Sequence, residues 1–524
     1  MRTIGDWLHL HQRQRPAKEA LVGVDGRRTY GELAERSWAL GRGLRSLGAQ
    51  PGSHIGVLAA NTVYNAEMFF SIAATGGVYV AYNWRWTELE LAEGIEETGA
   101  GIILVEEQFL GLLEGALEIY GRTHDELPTV IVQGTQTDNL RQGSGPLTDQ
   151  ATLDSPLCII YTGGSTGKSK GVVLSHRAAV SNAFNELVDC QLGSRPHERG
   201  LIVTPLFHSA GLLCWLVSHF VGGATSVLAP KFDAESLVDW VGREKITNTF
   251  MIPNMMRKMM DNGVLADPVF RQNLRALHTG AGLLRMPDKE LFADMLPGTD
   301  LYYRYGLTEA GPMVTRLRPE DMFDPEVDGS IGQEYFMAEV QLQDPDGRPT
   351  PVGELGEICV RGPSLMSGYY GRPEQTAEAL QNGWLRTGDV ATKNDRGYYF
   401  FRDRLKEMIK TGGENVYAAE VEQALHMHPA VLEAAVVGVP DLKWDEEVRA
   451  AIVLRSEIAA TQEELSTFLR TQLAGYKIPK QMVFLQPEEL PRSAAGKLRK
   501  ATLKQNLGWA SPDPAARTTK TETF

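Results

Sequence analysis

Apolar and polar positions along this chain follow two rhythms. Over residues 30–47 (YGELAERSWALGRGLRSL) apolar residues recur at three- and four-residue spacing, which predicts an amphipathic helix. Residues 54–59, 101–105 and 129–132 are short apolar runs bounded by polar residues or glycine, and these predict buried strands. The two patterns alternate over roughly the first 400 residues, the signature of an α/β architecture with largely parallel sheets. Residues 133–155 are polar and contain glycine, and are expected to form a loop. From about Gly332 the rhythm changes to short alternating runs, such as 338–343 and 356–361, separated by Gly, Pro and Asp turns. That pattern predicts antiparallel strands in a small barrel or distorted sheet. Past the charged stretch 402–407 come a helix (418–426), two strands (432–439 and 448–454) and a helix (461–473). About 100 residues with their own strands and helices suffice for a small α+β domain.

The expected organisation is therefore a large N-terminal domain, residues 1–405, of parallel-type sheets layered with helices. It includes a β-barrel-like part near 332–400 and is followed by a small α+β domain at 406–510. The tail 511–524, rich in Pro, Ala and Thr, is expected to be disordered. A chain of 524 residues exceeds what one core usually supports, in keeping with two or more domains.

Charge narrows the function classes. Lys and Arg total 52 against 66 Asp and Glu, a net charge of −14, and no basic block dominates, so a nucleic-acid partner is not expected. The four cysteines (158, 190, 214, 359) are scattered without a CxxC pair, which predicts buried free thiols in a reducing compartment. The N-terminus lacks the continuous apolar core of a signal peptide. Residues 208–230 carry no Asp, Glu, Lys or Arg, but His208, His219 and Gly222-Gly223 interrupt them. A buried helix followed by a strand is expected there rather than a membrane span. A cytoplasmic protein without integral membrane association follows, with a homodimer as its expected assembly.

The most informative stretch is 161–171, YTGGSTGKSKG, which lies between apolar runs at 157–160 and 172–174. Glycines let the backbone approach an anion, hydroxyls donate to it and lysines supply charge, so this is a loop built for phosphate. It is not a P-loop. That motif needs four residues between its glycines, and the position five before Gly167 is Thr162.

The loop instead resembles the phosphate-binding signature of the adenylate-forming superfamily, Thr-Ser-Gly-Ser/Thr-Thr-Gly-x-Pro-Lys-Gly. It matches at Thr162, Gly164, Ser165, Thr166, Gly167, Lys170 and Gly171, and departs at Gly163 and Ser169. Further family motifs follow in the family's order. Tyr305-Gly-Leu-Thr-Glu309 resembles Tyr-Gly-x-Thr-Glu, which implies that Tyr305 stacks on adenine, Thr308 contacts the α-phosphate and Glu309 holds Mg2+. Arg304 stands where a small or amide residue is expected. Gly280-Ala281 resembles the glycine-rich turn against adenine, and Trp384-Leu-Arg-Thr-Gly-Asp389 the motif whose aspartate accepts both ribose hydroxyls.

The resemblance also implies that Arg404 contacts ribose and that Lys406 is the hinge of a mobile C-terminal domain. Gly412-Gly413 would face the thioester-forming site, and Lys497, in Pro-Arg-Ser-Ala-Ala-Gly-Lys497, would bridge the carboxylate substrate and the α-phosphate. His208, in Pro-Leu-Phe-His208, would gate entry of the second substrate. Arg85 would reach the CoA phosphates, and Trp444 would stack on the CoA base, although Asp445 replaces the family's glycine. The methionine-rich run 250–260 is compatible with core packing or with an irregular apolar ligand. No charged partner for an α-amino group stands out, which favours a simple organic acid, medium-chain fatty or aryl.

The implied reaction is ATP-dependent activation of a carboxylic acid to acyl-AMP, followed by thioester formation with CoA. Three alternatives stand beside it: an acyl-AMP ligase that passes its product to a carrier-protein thiol or an amine, a phosphate-loop NTPase, and a non-catalytic acyl-binding relative.

Overall fold

The computed structural model describes residues 2–509 except 122–125, 149, 163–168, 194, 196, 283, 285, 405–406, 412–413, 442–443, 456–457 and 493–497. The chain divides into two compact units. One comprises Met1–Gln341, Cys359–Thr387 and Arg396–Tyr399, and the other Leu342–Ile358, Gly388–Asp395 and Phe400–Phe524.

Two large sheets organise the first unit. In the nine-stranded sheet six strands run parallel in the order Asp300–Gly306, Ala276–Gly280, Asn248–Phe250, Arg199–Ile202, Thr225–Leu228 and Glu19–Gly23. Antiparallel strands close both flanks, Met313–Leu317 and Gln333–Glu334 on one and Gly26–Thr29 on the other. The seven-stranded sheet has a parallel run of Pro156–Thr162, Val78–Ala81, His54–Leu58, Ile102–Val105 and Thr129–Val132. Lys170–Ser175 pairs antiparallel with Pro156–Thr162, and Gly368–Tyr369 with Lys170–Ser175.

Helix Val63–Thr75 is buried at all 13 residues and packs against strands of both sheets, so it belongs to a layer covered on two sides. Thr62 caps its first turn, and Gly76 ends it at φ 78°, a conformation that glycine adopts without strain. Helix Tyr30–Ser46 opens with a reciprocal capping box between Thr29 and Glu32. The apolar run at 208–230 is a helix and then a strand, as its interruptions suggest. Its helix is unusual: Ala210–Val217 is a π-helix, continued by the α-helical Ser218–Gly222.

Strands Glu339–Gln343, Gly356–Arg361, Trp384–Lys393 and Leu380–Gln381 form a third sheet, with Tyr399–Arg404 also beside Trp384–Lys393. A helix, Pro373–Ala379, interrupts this β-rich stretch. In the second unit Val431–Asp441, Asp445–Leu454, Ile409–Thr411 and Glu414–Val416 form an antiparallel ladder, and Gln481–Phe484 joins Asp445–Leu454 in parallel. Helices Ala418–His426 and Gln462–Arg470 supply Val421, Leu425, Leu465 and Leu469 to its core.

One expectation fails locally. Residues 133–155 contain the helix Thr135–Leu140, which lacks an apolar stripe. A tertiary anchor holds it instead: Thr137 is buried, and its hydroxyl donates to the Val132 carbonyl at 3.1 Å. All four cysteines are buried and none forms a disulfide. No helix among the described residues is long and apolar enough to cross a membrane.

Candidate active site

Glu309 is the point on which the first unit's motifs converge. It sits in the short turn Thr308–Ala310 that follows strand Asp300–Gly306, and the Met366 N–H donates to its main-chain carbonyl at 2.9 Å. Its carboxylate oxygen Oε1 accepts from the Tyr369 hydroxyl at 3.0 Å and from the Thr162 hydroxyl at 3.5 Å. Thr162 closes the strand that enters the phosphate loop, and Lys170 opens the strand that leaves it. The Lys170 ammonium lies 4.7 Å from the centre of the Tyr369 ring. Burial, and then the neighbouring Glu309 charge, push the Tyr369 hydroxyl above its ordinary pKa, so it remains a donor. Among the described residues no Lys or Arg pairs with Glu309. A carboxylate held by neutral donors on one oxygen, beside a phosphate loop, suits magnesium, a hard cation that takes one or two carboxylates and completes its shell with phosphate oxygens and water.

Thr308 faces a second segment, because its hydroxyl is 2.9 Å from that of Ser209. Ser209 follows His208 directly, so this contact brings the Pro-Leu-Phe-His208 segment to the Tyr-Gly-x-Thr-Glu turn. The His208 ring packs on Phe207 with centroids 4.5 Å apart, and Arg85 lies over Trp84 at 4.6 Å and over Phe207 at 5.9 Å. Arg85 and His208 are thus gathered around one aromatic group, although far apart in sequence.

Gly280 ends the strand beside Asp300–Gly306, in register with Arg304, and a Cβ there would collide with the Arg304 carbonyl oxygen. Ala281 follows at φ 59°, a left-handed conformation that costs energy in a non-glycine residue. Tyr305 is partly exposed at the end of its strand.

Arg304 points elsewhere, into the interior. It is 1% exposed and pairs with the fully buried Glu186 of helix His176–Asp189 at 2.8 Å. It also lies over the Trp215 ring at 5.0 Å and against His278 Nδ1. Burial, together with the Arg304 charge, drives His278 well below its ordinary pKa, so the imidazole is neutral. Arg304 Nε and Glu186 Oε2 are buried without hydrogen-bond partners among the described residues. In the sequence Arg304 stood only as a departure from the expected small or amide residue, whereas the fold pairs it with Glu186 in the interior. Asn254 is on the surface, bonded to Arg257 at 2.8 Å, while Met256, Met259 and Met260 of the same helix are core.

In the second unit Asp389 is buried within strand Trp384–Lys393, and Arg404 Nε is 3.2 Å from its carboxylate. The neighbouring Gly388 N–H donates to Glu357 at 2.9 Å. Lys500 bridges Glu422 at 2.9 Å and Glu407 at 3.1 Å, and those carboxylates hold its ammonium charged despite burial. Trp444 is partly exposed, in a turn where its N–H donates to Asp441. Ser165, Thr166, Gly167, Lys406, Gly412, Gly413 and Lys497 lie outside the described residues. The motifs themselves did not reveal Tyr369, Ser209 or Glu186. Tyr369 carried a local hint, in a Gly-Tyr-Tyr-Gly run after an alternating segment, and Ser209 directly follows His208 in its motif, whereas Glu186 carried none.

The sequence matches the AMP-binding enzyme family over residues 8–370 and the C-terminal domain of AMP-binding enzymes over 420–497. It is 35% identical to a feruloyl-CoA synthase of Amycolatopsis sp, covering 96% of this chain and 99% of that one. It is 30% identical to a fatty acid–[acyl-carrier-protein] ligase of Streptomyces coeruleorubidus, covering 97% of each. The o-succinylbenzoate CoA synthetase of Bacillus subtilis, solved with its acyl-adenylate intermediate, superposes with a TM-score of 0.83 at 28% identity, covering 95% of this chain and 97% of that one. The same synthetase solved with ATP and a magnesium ion also superposes at 0.83. Family matches across both parts of the chain, together with the Glu309–Thr162–Tyr369 arrangement, establish that this protein belongs to the AMP-binding, adenylate-forming enzymes.

Proposed function

We propose that this enzyme is an acyl-CoA ligase for aryl carboxylic acids, working in the cytoplasm on small molecules with ATP, Mg2+ and CoA. The observation that carries the reading is Glu309, a carboxylate without a cationic partner among the described residues, held by Thr162 and Tyr369 at the mouth of the phosphate loop. Such a group offers a hard oxygen to magnesium exactly where phosphates are expected, and bound magnesium would supply charge stabilisation to them. Similarity to a feruloyl-CoA synthase supports an aryl acid over a medium-chain fatty acid.

In the first half-reaction the substrate carboxylate attacks the α-phosphorus of ATP. An acyl–oxygen–phosphorus bond forms, the bond to the β-phosphate oxygen breaks, and pyrophosphate leaves. A carboxylate is a weak nucleophile and the phosphates repel it, so the protein acts by positioning and by charge. Thr162, Ser165, Thr166, Gly167 and Lys170 hold the departing phosphates. Thr308 bonds the α-phosphate, and Lys497 bridges it to the attacking carboxylate. Gly280, Ala281 and Tyr305 flank adenine, and Asp389 with Arg404 takes the ribose.

In the second half-reaction the C-terminal domain, residues 406–510, turns about Lys406, withdraws Lys497 and presents Gly412-Gly413 to the pantetheine arm. The CoA thiol attacks the mixed anhydride and AMP leaves. His208 gates that approach, Arg85 meets the CoA phosphates and Trp444 stacks on its base. Similarity to a carrier-protein ligase supports a second acceptor reading, in which the thiol belongs to a carrier protein.

A pyrophosphate-release screen over a panel of cinnamic, benzoic and fatty acids, with and without CoA and with products identified by mass, tests the proposal. Release that needs an aryl acid, and an aryl-CoA product, are expected. Pyrophosphate release without any CoA thioester, but with acyl transfer to a carrier protein, would overturn the CoA assignment.

A further inference from the structure

The first unit carries a second concave site at the opposite ends of the strands that bear the motifs. A cleft of about 780 Å3 is lined by Arg195, Arg199, Lys245, Arg271, Arg275 and Asp300, among others. Arg199 and Asp300 open their strands and Arg275 immediately precedes Ala276–Gly280, so the cleft lies at the N-terminal edge of the parallel run. Gly280 and Gly306 end those same strands, roughly 15–20 Å away at about 3.3 Å per residue. The cleft is therefore separate from the candidate active site.

Its charges are largely uncompensated. Arg199 is matched by Glu19 at 2.7 Å and Glu244 at 2.8 Å. Asp300 offsets one of the remaining four cations, through a long 3.8 Å contact with Arg195. Arg271 is held in place by the Met295 carbonyl at 2.7 Å, which orients the guanidinium without cancelling its charge. Lys245 and Arg275 are exposed, and no carboxylate among the described residues pairs with either. The Lys245 backbone closes helix Ala234–Glu244 in the left-handed conformation, at φ 52°. A surplus of three positive charges thus lines a hollow on a chain whose net charge is −14.

We propose that this cleft binds a small molecule carrying two or more phosphate groups. Concave walls focus the field of clustered cations and raise the local concentration of an anion. Arginine forks match the paired oxygens of phosphate, and a single carboxylate would leave most of them unused. The volume is that of a nucleotide-sized ligand, and a hollow of this size does not follow an extended backbone as a nucleic-acid groove does. The proposal stands independently of the acid and acceptor assigned above.

The test titrates the full-length protein calorimetrically with inorganic tripolyphosphate and, separately, with ATP, at fixed chloride concentration. Wild type is compared with the double variants Arg271→Ala/Arg275→Ala and Arg271→Lys/Arg275→Lys. One binding event is expected to weaken about tenfold or more in the alanine variant, the scale of one lost charge-assisted contact. The lysine variant should retain most of it, and ATP–pyrophosphate exchange should be unchanged in both. Weakening for ATP but not for tripolyphosphate identifies a nucleoside polyphosphate as the ligand class, and weakening for both identifies the phosphate chain. Identical isotherms in all three proteins overturn the proposal. So does tighter binding of a short single-stranded oligonucleotide than of either probe, and so does loss of exchange in the alanine variant.

Discussion

The Tyr369 hydroxyl donates to the Glu309 carboxylate across 3.0 Å, linking residues 60 positions apart. The bond fixes one oxygen of Glu309, and the same tyrosine ring lies beside the Lys170 ammonium. One side chain therefore touches both the carboxylate assigned to magnesium and the lysine assigned to phosphate. Tyr369→Phe keeps the ring and deletes the bond. Hydrogen bonds to charged groups contribute about 1.5–3 kcal/mol, so the magnesium concentration for half-maximal ATP–pyrophosphate exchange should rise about tenfold or more. An unchanged magnesium dependence would show that Tyr369 only packs.

Glu309→Gln preserves shape and removes charge. Exchange activity should fall about 100-fold or more at fixed magnesium, with the thermal midpoint nearly unchanged, because no ion pair involving a described residue is lost. Retention of activity within a few fold would remove Glu309 from the magnesium role.

Lys497→Ala separates the two half-reactions. Acyl-AMP formation should drop about 100-fold or more, while transfer from synthetic acyl-AMP to CoA should stay near wild type. Equal loss in both half-reactions, followed by pyrophosphate release for the first and by AMP release for the second, would argue for a folding role instead.

The Arg304–Glu186 pair predicts a stability effect without a matching effect on chemistry. Arg304→Met strands a buried carboxylate, and breaking a buried pair in this way costs about 3–5 kcal/mol. Adding Glu186→Gln should recover part of that loss, since the uncompensated charge is gone. Denaturant midpoints of the four proteins in this cycle measure the coupling; additive losses would mean that the two residues do not act as a pair.

Two buried histidines predict acid lability. The Ile4 N–H donates to His176 Nδ1 at 3.2 Å, and burial lowers the His176 pKa from 6.5 to about 4; His11 is lowered to about 4 as well, by burial and then by Arg15. Between these values the unfolded chain binds protons that the folded chain refuses. Stability is therefore fully present above about pH 6.5 and falls as the pH drops toward 4, by about 3 kcal/mol per histidine. His176→Asn keeps an acceptor for Ile4, so its thermal midpoint should depend less steeply on pH across that window. A slope equal to wild type would exclude His176 as a source.

Local pattern carried much of this molecule and failed where contacts are distant. The phosphate loop, the Tyr-Gly-x-Thr-Glu turn and the Thr-Gly-Asp389 strand could be read because glycine, hydroxyl and carboxylate sit at fixed short spacings between apolar runs. Helix Thr135–Leu140 could not, because a buried Thr137 holds it rather than an apolar face. Tyr369, Ser209 and Glu186 matter through partners 60, 99 and 118 positions away, and no window along the sequence contains both members of such a pair. Arg304 looked like a flaw in a nucleotide motif because its partner belongs to helix His176–Asp189.

The π-helix Ala210–Val217 gives chain length itself a role. Each turn of a π-helix takes up more residues than a turn of α-helix, so this segment spends extra residues on the same axial distance. Deleting one residue there lets the segment tighten toward α-helix, which needs fewer residues per turn, so the flanking residues can keep their phase relative to Ser218–Gly222. The segment therefore acts as a reserve of chain length, and a single deletion within 210–217 should preserve the Ser209–Thr308 contact better than a single insertion.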